Sequence, residues 1–123
     1  MNFALYISAV LLLVIAFVHS FLGERYILTR LFKRDNLPKL FGSDDFTKRT
    51  LRFAWHITSI AWLGFAAILA LLATPGTEKA SLIYVIAATF IVHGLVALLG
   101  SRGKHLSWVV FLAISVSALI SLY

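Results

Sequence analysis

Three histidines lie where water should not reach. His19, His56 and His93 each fall inside a long apolar run. An imidazole in hydrocarbon is costly unless it faces other protein groups, so each should point at a neighbouring helix. Neutral imidazole is the commonest metal ligand. Three of them at one level, with a coordination position left open, suit zinc, copper or iron. Two from facing helices suit a six-coordinate haem b, with the third as a neighbour. His19, His56 and His93 are therefore the candidate metal ligands. Arg52 joins them as a candidate cofactor-binding residue, because Arg49 and Arg52 stand one or two turns from His56 and could hold haem propionates.

The same residues admit chemistry without a cofactor. Imidazoles can bond to Ser20, Ser59, Thr89 or a helix carbonyl and lock the helices together. They can also line a proton or ion path. Glu24 lies five residues after His19, about 140° around the helix. It joins a histidine site only if the helix loosens at Gly23; otherwise it pairs with Arg52 or Arg102. His105 falls in a charged turn and is expected in water. Trp55, Trp62 and Trp108 read mostly as interfacial anchors, with Trp62 the deepest. No nucleotide loop, Ser-His-Asp set or paired-carboxylate site is present, so no catalytic residue is named. The chain has no cysteine, which excludes thiolate catalysis and Cys-ligated zinc or iron–sulfur sites.

The elements that must position these side chains follow from composition. Apolar residues make up 61% of the 123 residues and charged residues 13%. A soluble domain carries roughly 25% charged residues, so lipid must solvate most of this surface. Apolar runs place membrane spans at about 3–22, 51–73, 80–99 and 106–122. The first helix should continue past its span as an amphipathic extension to about Phe32. Ser43, followed by Asp44 and Asp45, reads as the N-cap of the second helix. Thr74-Pro75-Gly76 stops that helix, and Gly100-Ser101-Arg102-Gly103 turns the third into the fourth. Small residues mark packing faces, among them Gly64 on the second helix, Ala87 and Gly94 on the third, and Ala113, Ser117 and Ser121 on the fourth.

Charge sets the expected orientation. Of eleven Lys and Arg, eight lie in 24–52, two in 102–104 and one in 74–79. The positive-inside rule places the two basic segments in the cytoplasm and both termini outside it. On that frame His19, His56 and His93 sit about 7, 6 and 13 Å from the cytoplasmic charges, at 1.5 Å per residue.

The expected fold is an all-α integral membrane protein, residues 1–123 forming one four-transmembrane-helix up-down bundle with N-out/C-out topology and a basic cytoplasmic segment at 24–50. The expected function is an intramembrane histidine site near the cytoplasmic face. It binds haem b or a transition metal (Zn, Cu or Fe) for electron transfer or redox chemistry. The alternatives are an oligomeric transporter or channel with a histidine-lined path, and a membrane accessory protein without a cofactor. Expected partners are the lipid bilayer, anionic headgroups at the basic segment, and a homo-oligomer or larger membrane complex. The net charge of +6 sits beside membrane segments and is read as topology and lipid contact, with no nucleic acid. A bacterial inner (plasma) membrane is the expected location.

Overall fold

The computed structural model describes residues 1–123, and every regular element in it is helical. Helix α1 runs from Phe3 to Leu31. It is α-helical over Phe3–Leu22, widens into a π-helical segment over Gly23–Leu28, and ends as α-helix at Thr29–Leu31. Helix α2 spans Asp45–Ala73, α3 Lys79–Gly100 and α4 Ser107–Ile120. Helices α1, α2 and α3 are long and apolar enough to cross a membrane. With 14 residues, α4 measures only about 21 Å, against a hydrocarbon core of ~30 Å. It starts one residue later than the expected span, and the chain leaves the helix after Ile120.

Sequence order is also spatial order. α1 packs on α2, α2 on α3 and α3 on α4, and the backbone of α1 does not approach α3 or α4. The helices stand in an open row, where a closed bundle would bring α1 back to α4. Small buried residues show why. On α1, Ala9, Ala16 and Gly23 are buried at seven-residue spacing, a seam that faces one neighbour only. The rest of α1 presents Phe3, Ile7, Val10, Val14, Phe17 and Phe21 outward. Such a surface is tolerable in lipid, where hydrocarbon is as good a neighbour as another helix.

The inner helices carry two seams each. α2 turns Ser59 toward α1, while Gly64 meets Thr89 of α3 and Phe53 meets Gly100. α3 turns Gly94 toward Leu112 and Trp108 of α4. The expected α4 seam at Ala113, Ser117 and Ser121 is exposed. The buried residue is Ser115, whose hydroxyl donates to the Ala87 carbonyl at 3.0 Å. That bond satisfies a hydroxyl that lipid could not, and so sets the helix rotation.

The two ends of the α1–α2 pair are tied differently. At one end Asn2 N–H donates to the Ala73 carbonyl at 3.1 Å, and the Tyr6 and Thr74 hydroxyls meet at 2.8 Å. This pairing makes the two helices antiparallel. At the other end the chain leaves α1 after Leu31 and folds back through a tight turn at Leu40–Ser43. The turn holds Phe41 and Gly42 at positive φ and exchanges backbone bonds of 2.9 and 3.4 Å. Helix α2 begins at Asp45 with Asp44 as its capping residue. Ser43, the expected cap, stands one residue too early, and its hydroxyl accepts only the Asp45 N–H at 3.3 Å. Asp44–Lys48 and Asp45–Arg49 then form i,i+4 pairs along the first turns.

Candidate functional site

A polar seam runs between α1 and α2, from the middle of the helix pair toward the basic segment. α1 contributes His19, Ser20, Gly23 and Glu24. α2 contributes Arg52, Trp55, His56, Ser59 and Trp62. Within each helix the steps are mostly three or four residues, so each set shares one face.

The side chains form one continuous chain of hydrogen bonds. His19 Nδ1 meets Ser59 Oγ at 3.1 Å, and Ser20 Oγ donates to Ser59 Oγ at 2.7 Å. His56 Nδ1 meets Ser20 Oγ at 2.9 Å, and His56 Nε2 meets Glu24 Oε2 at 3.1 Å. Arg52 closes the outer end through Nη2 to Glu24 Oε1 at 2.8 Å and Nε to Oε2 at 3.2 Å. This is a two-point guanidinium–carboxylate fork. The Arg52 and Glu24 side chains are 49% and 35% exposed, so water screens the pair and its contribution is about 1 kcal/mol or less.

Proton placement follows from these partners. Ser20 donates to Ser59, and its oxygen faces His56 Nδ1. His56 Nε2 faces a carboxylate, which only accepts. Both His56 nitrogens are thus engaged, one with Ser20 and one with Glu24. The Ser59 proton is left for His19 Nδ1.

Trp55 and Trp62 enclose His19, Trp62 as a packing residue in the interior as its depth implied. The Trp55 indole stacks on the imidazole at 4.6 Å with an 8° tilt, and Trp62 meets it edge-on at 4.9 Å. Trp55 Nε1 also donates to the His19 carbonyl at 3.1 Å. Gly23 makes this possible, because a Cβ there would overlap the Trp55 indole. The π-helical segment begins at the same glycine. The loosening that Glu24 needed occurs there, and the carboxylate reaches α2. Widened turns of this kind recur at functional sites.

His93 is not brought to this seam. It is 4% exposed, donates Nδ1–H to the Thr89 carbonyl at 2.7 Å, and packs against Phe90 and Phe111. No three histidine or carboxylate side chains gather around one point at metal-binding distance. Arg52 is held by Glu24 and lies over the Phe32 ring at 4.9 Å. His105 is half-buried, not in open water: its ring packs on Phe46 and Phe53, and its Nδ1 meets Ser107 Oγ at 2.8 Å.

The links that histidine spacing alone underplays are Ser20 and Ser59. The signal for them is positional: Ser20 and Glu24 are i,i+4 on α1, while Arg52, His56 and Ser59 follow at four and three on α2. No protein-family model matches the chain, no curated protein is similar to it, and no solved structure matches its fold.

Proposed function

We propose that this chain is a small integral membrane protein whose α1–α2 pair carries a proton relay near the cytoplasmic face. The observation behind this reading is the unbroken chain His19–Ser59–Ser20–His56–Glu24, whose links measure 2.7–3.1 Å. Each hydroxyl can accept one proton and pass on another. A proton leaving His56 Nδ1 enters Ser20, the Ser20 proton moves to Ser59, and the Ser59 proton moves to His19 Nδ1. Both serines end with one proton each. Stacking on Trp55 and the edge contact of Trp62 place aromatic surface beside the resulting imidazolium, which favours its charge. Glu24 and Arg52 form the water-facing end.

The proposed setting is a bacterial inner membrane with the basic segment in the cytoplasm and both termini outside. In this arrangement α4 serves as the fourth span, assisted by Leu106 and Leu122 and by local thinning of the bilayer. α1 and α4 are open edges of the row, and self-association there would make an oligomeric transporter or channel. Ligation of haem b or of Zn, Cu or Fe by His19, His56 and His93 has less support, since both His56 nitrogens are engaged and His93 lies apart.

The test is proton flux into liposomes holding the purified protein, read by an enclosed pH dye under an imposed potential. The wild type should conduct. Ser59→Ala and His19→Leu should lower flux at least about tenfold, while His93→Leu should not. An absence of wild-type flux, or equal flux in Ser59→Ala, would overturn the relay.

A further inference from the structure

A cavity of about 550 Å³ opens beside the outer end of the seam, between the end of α1, the first three turns of α2 and the last turn of α3. Ligand pockets commonly measure roughly 300–1,000 Å³. One part of its wall is cationic: Lys48, Arg49 and Arg52, against the single lining carboxylate of Asp45. Each of these cations also pairs with a carboxylate, Lys48 with Asp44, Arg49 with Asp45 and Arg52 with Glu24, and Arg102 approaches Asp45 at 4.0 Å. The other part is apolar, formed by Phe32, Phe53, Val96 and Leu99.

The arginines keep donors in reserve. Arg49 uses Nε on Asp45 and Nη1 on the Gly100 carbonyl, which leaves Nη2 without a partner. Arg52 uses Nε and Nη2 on Glu24, which leaves Nη1. From Asp45 to His56 the wall rises eleven residues, about 16 Å along the helix. It thus passes from the charged start of α2 toward the apolar part of that helix, beside the last turn of α3.

We propose that this cavity binds one anionic glycerophospholipid, its phosphate on Arg49, Arg52 and Lys48 and an acyl chain along Val96, Leu99 and Phe53. The inference rests on the membrane orientation proposed above and not on the relay. It differs from general attraction of anionic lipid to the basic segment, because it names one site and one stoichiometry. Arg25, Arg30, Lys33 and Arg34 do not line it.

The experiment is native mass spectrometry of the protein from mixed micelles with equal phosphatidylglycerol and phosphatidylcholine. One phosphatidylglycerol should be retained per chain. Lys48→Gln and Arg49→Gln should each lower retention about fivefold, the share of one cation near a membrane surface. Arg30→Gln should leave it unchanged. Leu99→Trp, which keeps every charge and fills the apolar wall, should also expel the lipid, so a folding defect in the charge variants does not decide the result. No selective retention, or equal loss in Arg30→Gln, would overturn the site. Displacement of the lipid by millimolar inorganic phosphate would reassign it to free phosphate and overturn the acyl-chain part. Lys48 and Arg49 lie outside the relay. Lost lipid with intact proton flux in these variants would therefore support this site alone, and a wild type that retains the lipid but shows no flux would remove the relay alone.

Discussion

Nε2 of His56 lies 3.1 Å from Oε2 of Glu24, and the two residues come from facing helices. The contact exists because α1 widens into a π-helical segment one residue before Glu24. The same step removes a Cβ at Gly23 and admits the Trp55 indole. One glycine thus serves both the backbone widening and the enclosure of His19.

Gly23→Ala should be the most damaging single methyl addition on α1. The new Cβ meets a ring, which cannot fold out of the way as a flexible chain end can. Overpacking of this kind costs about 1–3 kcal/mol. Thermal unfolding in detergent should show the loss, with a change in Trp55 fluorescence. Gly94→Ala meets the flexible end of Leu112 and should cost less. Equal melting temperatures for Gly23→Ala and wild type would mean that α1 and α2 are less closely packed at this level.

Ser59→Ala should destabilise the helix pair as well as cut the relay. Ser59 is 5% exposed and serves both His19 and Ser20. Its loss leaves two polar groups short of partners, at a cost of about 1–3 kcal/mol. Nitrogen-15 spectra of the His19 ring should change at Nδ1. An unaltered Nδ1 signal would show that His19 does not bond to Ser59.

The Glu24–Arg52 fork should show modest coupling. A double-mutant cycle with Glu24→Gln and Arg52→Gln should return about 0.5–1 kcal/mol, since both side chains are partly exposed. Adding His56→Asn should lower the apparent cost of Glu24→Gln, if the three act as one unit, because one partner of the carboxylate is already gone. Strict additivity would separate His56 from the pair.

Reporter fusions at Tyr123 and in the 38–43 turn should report opposite sides of the membrane. The ten-to-one imbalance of Lys and Arg between the proposed faces drives this expectation. Reporters on the same side would mean that α4, at 14 residues, does not cross.

Local patterns carried much of this structure. The apolar runs, the charged break after Leu22 and the turn at 74–76 locate three long helices, and the amphipathic continuation of α1 toward Phe32 matches its observed end. The bonding partners open to the histidines were also legible, because a hydroxyl or helix carbonyl three or four residues away, or on a facing helix, is the cheapest remedy for an imidazole in lipid. Ser59, Ser20 and the Thr89 carbonyl fill those roles.

The sequence by itself therefore determined which segments are helical, where they stop and which polar groups need partners, since propensity, capping and hydropathy act within a few residues. Only the tertiary structure decided which helices meet. In lipid no hydrophobic force closes a bundle, so adjacency depends on which small residues mesh: Ala9, Ala16 and Gly23 give α1 one neighbour, and the row stays open. That geometry joins His19 to His56 and leaves His93 against Phe90 and Phe111. Equal depth along three helices says nothing of the rotation that brings side chains together.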